Sequence, residues 1–94
     1  MATLSLTLPR HVVSRAFAAE TVLLNINTGQ YHSLDPVAGR MFELLAETGD
    51  ETTALARLRT EYDAPGETIE QDLHTLVTEL VSRGLLERSE ARTG

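Results

Sequence analysis

An α+β fold, strands leading and three helices following, is what this 94-residue chain predicts. Three observations carry that expectation. Apolar residues alternate with period two near the start, at Leu4, Leu6 and Leu8 and again at Val22, Leu24 and Ile26. Asp35-Pro36 then supplies a helix start, an N-cap oxygen followed by proline at the first helical position. Beyond that pair, apolar residues recur at three- and four-residue spacing as far as Val81.

Thr3–Leu8 reads as a strand with one buried face, stopped by Pro9. His11–Phe17 is a less regular strand candidate. Thr21–Ile26 is the clearest strand, with Val22, Leu24 and Ile26 on one face and Leu23 on the other. Asn27-Thr28-Gly29 supplies turn chemistry, since Gly29 tolerates positive φ, and Gln30–Leu34 returns as the second arm of a hairpin. A two-residue turn and a three-residue turn with a bulge place opposite faces together, and both fit this sequence.

After Asp35-Pro36, the residues Val37, Met41, Leu44 and Leu45 recur at helical spacing, and Gly49 falls where a left-handed C-cap belongs. A second helix is expected over about 51–62, with a narrow stripe of Leu55, Leu58 and Tyr62, broken by Pro65-Gly66. The third helix is the longest. Thr68 with Gln71 fits a capping box and Gly84 a C-terminal stop. Its apolar residues Ile69, Leu73, Leu76, Val77, Leu80 and Val81 cover about 140° of the circumference, wider than a minimal core stripe. Leu85-Leu86 is expected to pack back on the core, and residues 88–94 to fray. The expected architecture is one winged-helix-like domain over residues 1–94. Its N-terminal antiparallel three-stranded sheet has a hairpin at about 21–34, and three α-helices follow.

Composition narrows the function. The net charge is −6, and all eight basic residues are arginines scattered from Arg10 to Arg92. A DNA-binding face needs clustered positive charge. A winged helix-turn-helix regulator remains the competing reading, with the third helix as its reading helix. That helix, however, offers Glu70, Asp72 and Glu79 beside only Gln71 and His74 as base readers. Cysteine is absent, which favours the cytoplasm, and no apolar run reaches membrane-spanning length. His11, His32 and His74 form no metal-ligand motif, no serine lies in a nucleophile elbow, and no glycine-rich phosphate loop is present. No catalytic residue, metal site or cofactor is therefore expected. A hairpin whose last strand is an open edge accepts an extended peptide, and a wide apolar helix stripe beside it would line a pocket.

The stretch Val22-Leu23-Leu24-Asn25-Ile26-Asn27-Thr28-Gly29-Gln30-Tyr31-His32-Ser33-Leu34-Asp35-Pro36 resembles the pattern V-L-L-(D/N)-x-x-T-G-x-Y-x-x-L-(N/D)-P of PqqD-like proteins. It is most similar to the stand-alone recognition proteins of lasso-peptide gene clusters. The resemblance continues through Phe42-Glu43-Leu44-Leu45, then Ile69-Glu70-Gln71-Asp72-Leu73, and ends at Leu80-Val81-Ser82-Arg83-Gly84-Leu85-Leu86, about two thirds of the chain. Two departures stand out: His32 where many lasso relatives carry Trp, and Val37-Ala38 where they often have Thr-Gly. The resemblance implies a non-catalytic RiPP recognition element. Such a domain binds a precursor's leader peptide as an added antiparallel strand, between the third strand and the third helix. It then presents the peptide to a leader peptidase and a cyclase. Carried over by position, the strand edge is Gln30, Tyr31, His32, Ser33 and Leu34, and the facing helix residues are Asp72, Leu73, Leu76, Val77 and Leu80. No cofactor, nucleic acid or membrane partner is implied.

Overall fold

Among the described residues, five strands and three helices follow one another as β1 (Ala2–Thr7), β2 (Val12–Ala16), β3 (Thr21–Asn25), β4 (Tyr31–Leu34), α1 (Pro36–Thr48), α2 (Glu51–Glu61), α3 (Gly66–Ser82) and β5 (Glu87–Arg92). The structure is a computed structural model and describes residues 2–62 and 66–92. Strands β2, β3 and β4 form an antiparallel three-stranded sheet in that order, as expected. Strands β1 and β5 form a separate two-stranded sheet, in register from Ala2 opposite Arg92 to Thr7 opposite Glu87.

That second sheet corrects the expectation for the C-terminus. The described part of the 88–94 segment, through Arg92, is strand rather than frayed end. The cause is backbone demand: β1 belongs to no other sheet, and a lone strand leaves its N–H and C=O groups without a ladder. Polar residues sufficed, because the partner of β1 supplies main-chain bonds and needs no apolar alternation.

The β3–β4 hairpin also differs from both anticipated turns. Asn25 N–H donates to Gln30 O at 2.8 Å, closing a four-residue loop of Ile26 to Gly29. Asn25 Oδ1 accepts from the N–H groups of Asn27 and Thr28, and Thr28 Oγ1 accepts from Gln30 N–H. Local side-chain bonds thus stabilise a longer loop than glycine alone requires. Gly29 adopts a φ of 76°, as the turn demands.

The register buries the less apolar face of β3. Leu23 is fully buried, whereas Leu24 and Ile26 are exposed. The sheet therefore packs Leu23, Leu34 and Val12 against the helices and leaves the Val22/Leu24/Ile26 side outward.

Helix α1 begins as read: Asp35 Oδ1 accepts from Ala38 N–H at 2.8 Å, and Pro36 occupies the first turn. Gly49 ends it at φ 69°, and its carbonyl accepts from Leu6 N–H, tying β1 to the helix end. The helix approaches β3 closely. A Cβ on Gly39 would lie 2.6 Å from Thr21 Oγ1, so this helical glycine is a contact point with the sheet. Helix α2 starts at Asp50, whose carboxylate accepts from Thr52 and Thr53, and buries Ala54 and Leu58. Arg40 of α1 makes two 2.8 Å bonds to the Glu61 carboxylate at the end of α2.

Helix α3 begins at Gly66, earlier than the capping box implied, so Thr68 and Gln71 are ordinary exposed positions inside it. First-turn N–H groups lack intrahelical partners in any helix, so a helix can extend beyond its best cap. At the other end Gly84 adopts φ 74°, and Leu85 N–H bonds back to Leu80 O at 2.8 Å. That reversal turns Leu85 and Leu86 into the core. Among the described residues the core is entirely apolar, with no buried polar side chain.

Candidate functional site

The site begins with one strand edge. Among the described residues, strand β4 has β3 on one side and no strand on the other. Asn25 and Gln30 are a bonded pair, so the alternation of an antiparallel ladder makes Leu23–His32 and Thr21–Leu34 the next bonded pairs. Tyr31 and Ser33 then direct their N–H and C=O groups away from the sheet. Two donors and two acceptors point outward within four residues, a ready template for an added strand.

Helix α3 runs beside that edge. One end of the gap is lined by Asn25, Gln30, Tyr31 and His32 of the hairpin with Arg83 and Leu85. The other is lined by Asp35, Val37, Ala38 and Met41 around the start of α1, facing Asp72, Thr75, Leu76 and Glu79 of α3. The helix is therefore antiparallel to β4: Asp72 is across from Asp35, and Arg83 from Tyr31. Between the two ends, His32 Nε2 of β4 comes within 3.8 Å of Glu79 Oε1. Glu79 also holds Arg83 Nε at 3.3 Å.

The sequence-derived residues divide by depth. Gln30, Tyr31 and Ser33 are exposed on the edge, and His32 is half-buried in the gap. Asp72 is exposed on the rim, and Leu76 retains 8% exposure as part of the floor. Leu34 is a core residue beneath the strand, and Leu73, Val77 and Leu80 have no exposed area at all. These four support the gap from below without lining it.

Sequence reading marked Val37-Ala38 only as a departure from the family pattern and did not place Val37, Ala38 and Met41 in the groove, whose far wall they close from α1. Val37 and Met41 were expected only as helix core, yet Val37 is 45% exposed. The available signal was the position directly after Asp35-Pro36, where the chain leaves the edge strand and must flank it. Glu79 and Arg83 were likewise unassigned, although both follow Leu76 on the same side of the helix, near its i+3 and i+7 positions.

The charges at the site are unequal. Among the described residues, the lining of the Asp35, Asp72 and Glu79 end contains three carboxylates and no cation. Asp35 is occupied as the α1 cap, and Glu79 is answered by Arg83 and His32. Among the described residues Asp72 has no hydrogen bond or ion pair. The other histidines are engaged elsewhere: His11 with Gly84 O, and His74 with Glu51. Among the described residues no three His, Cys, Asp or Glu side chains converge as a metal site would require. The arrangement supports backbone pairing, apolar contact and charge recognition, and no nucleophile–base pair is built into it.

Comparison with known proteins places this geometry. The family model described as coenzyme PQQ synthesis protein D (PqqD) matches residues 20–86. No curated protein matches the chain. Among solved structures, TbiB1 in complex with the TbiA(beta) leader peptide is 33% identical, with a TM-score of 0.79 over 86% of this chain and 94% of that one. A lasso peptide synthetase B1 complexed with its leader peptide is 23% identical, with a TM-score of 0.78 over 87% of this chain and 96% of the other. At that identity the second likeness concerns the fold.

Proposed function

We propose, from the premise that the chain belongs to the PqqD family, that it recognises the leader peptide of a ribosomally made precursor of lasso-peptide type by strand addition to β4. The observation that carries this reading is the outward-facing backbone of Tyr31 and Ser33 beside the Leu76-floored gap, in a chain 33% identical to one solved with a leader peptide. The leader adds antiparallel to β4 along Gln30 to Leu34, with Asp72 and Leu76 contacting it from α3. Leu73, Val77, Leu80 and Leu34 hold the floor in place. The protein works in the cytoplasm, without cofactor and without catalysis of its own.

Magnitudes assign the roles. Four ladder bonds contribute about 2–6 kcal/mol net, and association costs about 4–15 kcal/mol. Backbone pairing alone therefore fixes register and gives little affinity. Each large apolar side chain seated in the groove adds about 1.5–3 kcal/mol. Three such anchors, each near the upper end of that range, account for the ~8 kcal/mol of micromolar binding.

Delivery to a leader peptidase and cyclase needs a second surface, free when the groove is full. The outer face of the three-stranded sheet supports this part of the reading: Val13, Phe17, Leu24 and Ile26 are all exposed. Contiguous apolar exposure on a small domain marks an interaction surface.

Titration of the ¹⁵N-labelled protein with lasso-type leader peptides, TbiA(beta) first, tests the reading. Saturable shifts should concentrate at 30–34 and 72–80. Shifts confined to α2 or to the β1–β5 sheet would place binding elsewhere and defeat it.

A further inference from the structure

We infer that the groove selects its peptide by charge order as well as by shape: the preferred peptide carries Lys or Arg two positions before the apolar residue seated on Leu76 and Met41. This inference rests on the strand-addition reading and specifies the substrate class of the same site.

Direction comes first. Asp72 is across from Asp35 at the end of β4, and Arg83 is across from Tyr31 at its start. A strand added antiparallel to β4 therefore runs in the same direction as α3. Its N-terminal part meets Asp72 before its C-terminal part meets Arg83.

Spacing comes next. Asp72 and Leu76 are four helical residues apart, about 6 Å along the axis. Side chains on one face of a strand recur every second residue, about 6.6 Å. A peptide whose apolar side chain enters the Leu76–Met41 floor therefore brings the side chain two positions earlier to Asp72. Leu76 and Met41 are both nearly buried, and exposed Val37 walls the same seat, so this position is apolar by construction.

Charge then decides what meets Asp72. Its carboxylate is the one at this end of the groove not already occupied, since Asp35 caps α1 and Glu79 holds Arg83 and faces His32. A peptide strand laid over the floor excludes water beside Asp72, which lowers the local dielectric and strengthens any charge pair formed there. An acidic residue at that place would face Asp72 and Asp35 together, in a protein already of net charge −6. Lysine and arginine have the length to reach the rim while the peptide backbone stays on the β4 ladder.

Selection of a displayed random 15-residue peptide library on the 94-residue chain tests this. The expected outcome is an enriched motif with a large apolar residue and Lys or Arg two positions before it. With an enriched peptide, Asp72→Asn should weaken binding about three- to tenfold. The same substitution should change little for a peptide in which methionine replaces the basic residue. Asp72→Arg combined with a Lys→Glu peptide should recover the loss. An apolar motif with no charge preference, or with the basic residue two positions after the anchor, leaves strand addition standing and overturns the inference. Equal weakening of both peptides by Asp72→Asn overturns it as well. Failure to enrich any peptide defeats strand addition itself, and this inference with it.

Discussion

At the scale of single residues, Asp50 shows how one side chain fixes an element. Its carboxylate accepts from the Thr52 and Thr53 N–H groups and from the Thr53 hydroxyl, closing the N-terminus of α2. The Thr53 hydroxyl is the main cause holding the Asp50 carboxyl below its ordinary value, with the two backbone donors adding to it against the opposing effect of burial. A carboxyl more acidic in the folded than in the unfolded state binds fewer protons when folded. Its stabilisation is therefore present above the ordinary aspartate range and is lost as pH falls through the depressed folded value. Asp50→Ala should cost about 0.5–2 kcal/mol near neutrality. Thermal melts of both proteins across pH 7 to 2 should show the gap closing in acid; a gap independent of pH would mean that the charge contributes nothing. Glu61 is similarly held below its ordinary value, chiefly by its hydrogen bonds from Arg40. That pair is exposed, so its part is to align α1 with α2 and it adds little stability.

At the scale of elements, α3 separates two jobs that the sequence left merged. Its wide apolar stripe was legible, and so were the caps at Asp35, Gly49 and Gly84, because 3.6-residue periodicity and positive φ are local properties. Which stripe residues line the gap was not legible. That depends on where α1 and β4 lie, and depth along one helix face is set by neighbours distant in sequence. Hence Leu73, Val77 and Leu80 lie in the core, while Leu76 borders the gap and Val37, one helix away, completes its wall. The β1–β5 pairing was hidden for a related reason: a ladder of main-chain bonds between the chain's ends leaves no periodic signature in polar residues. The division of α3 predicts a split between variants. Leu73→Ala should cost about 2–5 kcal/mol of folding stability, as full burial implies. Leu76→Ala should cost less stability and more peptide affinity, and Asp72→Ala should leave the melting point near native. Melting midpoints and peptide affinities for the three variants check this. Affinity losses that track stability losses throughout would make the stripe core alone.

At the scale of the whole molecule, the sheet offers two independent surfaces: its β4 edge and its outer face. The edge opens beside α3, whereas the outer face looks away from every helix, because Leu23, Leu34 and Val12 take the inward positions. The face is unusually apolar for a free surface. Phe17 is 62% exposed and Ile26 57%, and both lie away from the Asp72–Leu76 end of the groove. An added strand on β4 would widen this face by one strand, next to Tyr31 and Ser33, so that a partner docking there would contact the domain and its leader together. Helix α3 presents the exposed carboxylates of Glu67, Glu70 and Asp72, which would repel a phosphate backbone. If the outer face is where the leader peptidase docks, Phe17→Ser and Ile26→Ser should act only on delivery. Neither side chain is buried, so each variant should melt within about 0.5 kcal/mol of the parent. Leader affinity should be unchanged, because neither residue lines the groove. Cleavage of the precursor by the peptidase should fall when the variant replaces the parent at equal concentration, and raising its concentration should recover the rate, as expected for weakened docking. Cleavage by the peptidase at the wild-type rate with both variants would remove the outer face from the delivery step and leave the groove as the domain's one recognised surface.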